Sequence, residues 1–146
     1  MKIGRCQFEA GHAKMDAGAN ISDFQGALEF AVFATKGGPW WVGDLLNEAE
    51  RRFGDLYAQA CPMSLSNSQS NRLRATARRI KRSHRRPHEG LSQSHYDTAA
   101  RLPEVEQEEF LQIAIDEGLN SNEFRDLVAD HKRAMKAAAE ERVKDV

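Results

Sequence analysis

Along most of the chain, apolar residues return every three or four positions, the period of a helix with one buried face. The first such run carries Phe24, Leu28, Ala31 and Val32; Ser22-x-x-Gln25 has the form of a capping box that opens it, and Gly37-Gly38 closes it. Pro39 suits the start of a second helix, in which Trp41, Leu45, Ala49 and Phe53 recur every fourth residue with Leu46 beside them, and Gly54 marks a bend or break. A short helical piece ends in Ala58-Gln59-Ala60. After a break at Cys61-Pro62, Ser66-x-x-Gln69 caps a further helix over residues 66–80, whose inward stripe is Leu73, Ala77 and Ile80. Beyond a turn at 87–90, Ser92 or Ser94 caps a short helix. Pro103 leads another, with Val105, Leu111, Ala114 and Ile115 inward and Gly118 at its end. Asn120-x-x-Glu123 caps the last, which carries Phe124, Leu127 and Val128.

From Asp130 onward strong helix formers persist, but the apolar stripe thins to Met135, Ala138 and Val143. An exposed helix is the plain reading of this tail, and pairing with a second copy to make a homodimer is the sharper one. Residues 1–21, rich in Gly and Ala, read as a short strand or an extended arm. The expected fold class is all-α: about six helices, the last long and exposed. The expected divisions are an N-terminal arm (1–21), a helical DNA-binding domain (22–130) and a C-terminal helical tail (131–146).

Charge changes the picture. The formal net charge of the 146 residues is only −1, yet no acid lies between Asp55 and Glu89. That window holds Arg72, Arg74, Arg78, Arg79, Lys81, Arg82, Arg85 and Arg86, so the rest of the chain carries about −9. A basic stripe on an acidic body is the electrostatic footprint of a polyanion-binding protein. The stripe continues a helix whose leading turns are polar. A turn of about five residues separates that helix from the helical piece before it, the arrangement of a helix-turn-helix. Asn and Gln pair with adenine edges and Arg with guanine, so Asn67, Ser68, Gln69, Asn71 and Arg72 are the candidate base readers. Arg74, Arg78, Arg79, Lys81, Arg82, Arg85 and Arg86 are the candidate phosphate contacts, because positioning a duplex takes more cations than reading it.

Other chemistry is thin. Cys6 and His12 are two potential ligands without a third, and the two cysteines have no C-x-x-C partner, so neither a metal site nor a disulfide framework is expected. No Ser/His/Asp or Cys/His arrangement and no Gly-rich phosphate loop occurs; the chain is expected not to be an enzyme and to use no cofactor. Asp44, Glu48 and Glu50 read as a solvated helix face, and the Trp40-Trp41 pair as core rather than a base-stacking platform. His95 reads as a packing or capping residue. With 40% hydrophobic and 29% charged residues, no apolar run near the roughly 20 residues of a membrane span, and no signal peptide in Met1-Lys2-Ile3-Gly4, the expected place is the cytoplasm, at the nucleoid.

Two sets of spacings resemble known families. Leu91-Ser92-Gln93-Ser94-His95, Leu102-Pro103, Glu106-Gln107 and Gly118-Leu119-Asn120 through Leu127 resemble the helix-turn-helix region of ParB/KorB-type partition proteins. Trp40-Trp41-Val42-Gly43-Asp44-Leu45-Leu46-Asn47, Glu50-Arg51-Arg52-Phe53-Gly54, Tyr57-Ala58-Gln59-Ala60, Leu65-Ser66 and Ala77-Arg78-Arg79 are similar to LmbU-type transcriptional regulators. The chain departs from that pattern at Ser70, where an apolar residue is usual, and at Cys61-Pro62-Met63. Over residues 22–130 the resemblance implies a helix-turn-helix that binds double-stranded DNA, with the recognition helix on residues 66–80. It implies no CTP chemistry, since nothing here matches the nucleotide-hydrolysing part of partition proteins. A transcriptional regulator is the leading expectation; an arginine-rich RNA binder and a protein–protein adaptor are the rivals.

Overall fold

A computed structural model of the chain describes residues 1–34, 38–86 and 90–144. Gly37 and most of the turn expected at 87–90 lie outside the described residues. The chain divides into two compact units, Met1–Glu89 and Gly90–Val146.

The first unit opens with a three-stranded antiparallel sheet, more than the short strand or extended arm expected of residues 1–21, so the fold is mostly helical but not purely so. Strands β1 (Lys2–Ile3), β2 (Cys6–Glu9) and β3 (His12–Met15) lie in that order, with Ile3 opposite Cys6 and Cys6 opposite Met15. Gly4 makes the first turn at a φ of 58°, where a side chain would be strained. The two-residue period of the strands sends Cys6, Phe8, Ala13 and Met15 into the core and leaves Lys14 outside. Strands this short carry too little pattern to stand out from a loop.

Helix α1 (Ile21–Phe33) is capped by Asn20, not Ser22. The Asn20 side chain accepts from the Asp23 N–H, and the Asp23 carboxylate accepts from the Asn20 N–H, both at 2.9 Å. Two overlapping capping boxes compete in Asn20-Ile21-Ser22-Asp23-Phe24-Gln25, and the earlier one wins. Helix α2 (Gly38–Phe53) buries Trp40 and Trp41, as the core reading expected. Trp41 packs on Phe8 with ring centroids 4.7 Å apart, and its indole N–H donates to the Glu9 carbonyl at 2.6 Å, fixing α2 to the sheet. Gly54, at a φ of 59°, ends α2, and the helical piece after it is a 3₁₀ turn over Gly54–Ala60.

Helix α3 (Asn67–Arg79) begins at the expected cap: Ser66 Oγ accepts from the Gln69 N–H at 3.1 Å and Gln69 Oε1 accepts from the Ser66 N–H at 3.0 Å. Its stripe of Ser70, Leu73, Thr76 and Ala77, with Ile80 just beyond, is buried. α3 crosses α2 at Gly43, where a Cβ would stand 2.4 Å from the Leu73 carbonyl oxygen and 2.7 Å from the Ala77 Cβ. No other residue type permits that approach.

The second unit contains α4 (Gln93–Ala99), α5 (Glu104–Glu117) and α6 (Ser121–Lys144) around Tyr96, Phe110, Leu111, Phe124 and Val128. His95 is a capping residue: its Nδ1 accepts the Ser92 N–H at 3.1 Å while its Nε2 lies 2.9 Å from the Leu119 carbonyl oxygen. With Nδ1 accepting, Nε2 is the ring nitrogen that donates. Gly118 closes α5 in the left-handed conformation, and Asn120 with Glu123 caps α6 reciprocally. Val105, expected inside, is 88% exposed, because the phase set by Gln107, Phe110, Leu111 and Ala114 turns it to the far side of α5. Beyond His131, which pairs with Glu106 at 3.2 Å, α6 is largely exposed, Met135 and Val143 included.

Candidate nucleic-acid interface

At 3.6 residues per turn, the buried stripe of α3 dictates which side chains point away from the core. Asn67, Ser68, Asn71, Arg72, Arg78 and Arg79 are all exposed and lie on the side opposite Leu73 and Ala77. Ala75, half-buried and small, sits among them, so the middle of this face is low enough for another surface to approach closely. Gln69 is exposed as well, but it lies at the flank of the buried stripe and its side-chain oxygen is committed to the cap. Its amide N–H groups are what it has left to offer. Of the five candidate base readers, four therefore share one outward face.

The basic residues divide into two sets that their sequence does not distinguish. Arg78, Arg79, Lys81 and Arg82 are exposed and Arg86 is half-buried. Arg78 donates to Asn47 Oδ1 at 3.2 Å, while Asn47 Nδ2 donates to the Arg74 carbonyl at 3.0 Å, so Asn47 ties α2 to the backbone of α3. Arg82 keeps about half of its side chain in solvent, 4.0 Å from Asp44. These groups lie at and just past the C-terminal end of α3, the end where the helix dipole favours cations.

Arg74 and Arg85, both expected on the phosphate side, are instead used by the fold. The Arg74 side chain is 12% exposed; it lies 4.4 Å from the centre of the Tyr57 ring, donates to the Tyr57 hydroxyl at 2.6 Å and pairs with Glu50. Burial, and after it the nearby Arg78 charge, push the Arg74 pKa down. Arg85 goes further inside, with 2% of its side chain exposed. It makes a two-pronged bond to Asp44 (2.8 and 2.9 Å), donates to the carbonyls of Ala77 (2.7 Å) and Gly11 (3.0 Å), and lies over the Trp40 ring at 4.3 Å. Asp44 is accordingly no solvated residue. It is 6% exposed at its side chain and also accepts from the Ala13 N–H at 3.2 Å. One buried carboxylate thus joins the sheet, α2 and the segment after α3.

The other acids of α2 behave differently from one another. Glu48 accepts from Arg51 and Arg52, and the Arg51 hydrogen bond in particular holds its carboxyl down at about 2. Arg52 also donates to the carbonyls of Asp16 and Met15, a second tie between α2 and the end of β3. Among the described residues no group of His, Cys, Asp and Glu is placed to hold a metal ion, and no helix is long and apolar enough to cross a membrane.

No protein-family model matches the sequence, and no solved structure matches it. The chain is similar to a protein named transcriptional regulator NovE, from Streptomyces niveus, with 33% identity over 87 residues. That match covers 59% of this chain and 39% of the relative, so it spans about two-fifths of the relative's length.

Proposed function

We propose that the chain is a sequence-specific double-stranded DNA-binding protein, a transcriptional regulator, with α3 as the recognition helix of a helix-turn-helix. The observation that carries this reading is the outward face of α3, where Asn67, Ser68, Asn71 and Arg72 stand together at the capped leading end. Side chains of these types at the front of a helix match the donor and acceptor pattern of the major groove. The relative named a transcriptional regulator supports the regulatory half of the proposal.

Roles follow from exposure. Asn67, Ser68, Asn71 and Arg72 read base edges, with Gln69 contributing only its amide N–H groups. Arg78, Arg79, Lys81, Arg82 and Arg86 hold phosphates, while Arg74 and Arg85 keep the helix and the following segment in place. The DNA-contacting part falls within Met1–Glu89, and the second unit is left for another role, such as pairing with a second copy through α6.

A binding selection from random duplex oligonucleotides, followed by titrations of the selected and a scrambled duplex at several salt concentrations, tests this. Arg72→Ala is expected to cost about 1–3 kcal/mol on the selected duplex and much less on the scrambled one. Arg82→Ala is expected to weaken both alike and to lower the salt slope by about one. Equal losses on both duplexes for Arg72→Ala would mean that α3 does not read bases. A preference for hairpin RNA over duplex DNA would favour the RNA-binding rival.

A further inference from the structure

On the first unit, a cleft of about 550 Å³ opens between β3, the C-terminal half of α2 and the segment that follows α3. Seven cationic side chains line it against two carboxylates, Asp44 and Glu48. Both carboxylates are already engaged, Asp44 by Arg85 and Glu48 by Arg51 and Arg52. Arg85 and Arg52 are spent in turn on Asp44 and on backbone carbonyls. Seven cations against two carboxylates leave the cleft an excess of five positive charges. The cations with exposed side chains there are Lys14, Arg51, Arg78, Lys81 and Arg82. Of these, Arg51 also holds Glu48, Arg78 holds Asn47 and Arg82 donates to the Ala13 carbonyl. Three of the five continue from α3. The other two come from elsewhere in the chain: Lys14 from the outer face of β3, and Arg51 from the last turn of α2 with two-thirds of its side chain in solvent.

A net excess of five positive charges around one concave surface is mutually repulsive and focuses a positive potential there, since field lines concentrate in a cleft with low-dielectric walls. A bound anion relieves that repulsion. The group that suits cationic donors of this kind is a phosphate, with oxygens that accept from a guanidinium and an ammonium at once.

We propose that this cleft is a phosphate-binding site, and that it takes the phosphodiester backbone of the duplex beyond the stretch read by α3. Lys14 and Arg51 are then DNA-contacting residues lying outside the basic run. The inference rests on the duplex-binding reading above. Arg78, Lys81 and Arg82 are shared between the two surfaces, so a strand leaving α3 meets the cleft without a gap in positive charge.

Three variants of the full chain test the site: Lys14→Gln, Arg51→Gln, and Lys2→Gln as a control on the same sheet but outside the cleft. Each is checked for wild-type circular dichroism and titrated with duplex at several salt concentrations. A parallel titration uses inorganic tripolyphosphate without DNA. Lys14→Gln and Arg51→Gln are expected each to lower the slope of log K against log salt by about one, on selected and scrambled duplex alike, with Lys2→Gln unchanged. An unchanged slope in both cleft variants, while Arg72→Ala still relaxes sequence preference, overturns the cleft proposal and leaves the recognition helix standing. So does a loss of slope in Lys2→Gln as large as in Lys14→Gln, which would be a general charge effect. If the cleft variants leave duplex binding alone but abolish binding of tripolyphosphate, the site serves a small phosphorylated ligand and the backbone assignment is wrong. Failure of the wild-type protein to bind any duplex overturns both readings together.

Discussion

Removal of the Asp44 carboxylate is the perturbation from which the structure predicts most. Asp44→Ala leaves the Arg85 guanidinium with 2% of its side chain exposed and without the carboxylate that pairs with it among the described residues. An uncompensated buried charge of this kind costs about 3–5 kcal/mol. The Ala13 N–H loses its acceptor as well, which adds about 1 kcal/mol if water does not replace it. Asp44 lines the cleft, so water entering there offsets some of the cost, and about 3–5 kcal/mol is the expected total. The double change Asp44→Leu with Arg85→Met removes both charges and fills the volume. It still strands the Ala77 and Gly11 carbonyls and the Ala13 N–H, each worth about 1 kcal/mol, so it is expected to lose about 2–3 kcal/mol, less than the single change. Urea unfolding followed by tryptophan fluorescence is the assay, because both tryptophans lie in the first unit. The reasoning fails if Asp44→Ala shifts stability by less than about 1 kcal/mol, or if the double change is as damaging as the single one.

Gly43→Ala is expected to destabilise the first unit by about 1–3 kcal/mol, because the added methyl collides with the Leu73 carbonyl and α3 must move off α2; a wild-type urea midpoint would show that the helices have room. The folded-state pKa of Glu48 lies below its ordinary value, so its pairing contributes stability that is full above about pH 4.5 and is lost as pH falls towards about 2. Glu48→Gln is expected to flatten the stability profile across that window, and an unchanged profile between the two proteins would remove Glu48 from the account. Cys6 is buried with its thiol pushed up to about 11, mainly by burial, whereas Cys61 is half-exposed. A maleimide at neutral pH is therefore expected to label Cys61 quickly and Cys6 only on unfolding; mass spectrometry showing both labelled at one rate would contradict the buried position.

What the sequence made legible was local. The Ser66/Gln69 and Asn120/Glu123 caps, the end of α2 at Gly54, the left-handed Gly118 and the burial of the Trp pair each depend on residues within one or two turns. The leading face of α3 was legible for the same reason, since Leu73, Ala77 and Ile80 set its phase. The partners of Arg74 and Arg85 were not. Tyr57 lies 17 residues and Asp44 lies 41 residues away from them, and no periodicity carries that information. An arginine in a basic run looks the same whether it meets water or a buried carboxylate. A short strand was one reading of residues 1–21, but the three-stranded sheet was not legible because its strands run for only two to four residues. Val105 was placed inward because it is apolar, whereas α5 buries Gln107 and turns Val105 to its far side.

The Asp44–Arg85 bond also makes a statement about related sequences. Lysine has neither the planar fork for a two-pronged carboxylate bond nor the flat surface that lies over Trp40, so position 85 does not accept it as a substitute. At positions 78, 79 and 82, where a point charge suffices, arginine and lysine are expected to interchange. Positions 44 and 85 are expected to change together or not at all, even in relatives that differ at the proposed base-reading positions 68, 71 and 72. An aligned family would then show position 85 linked to position 44 on α2 while its neighbours at 78, 79 and 82 exchange freely, and that pair would mark residues that shape the unit.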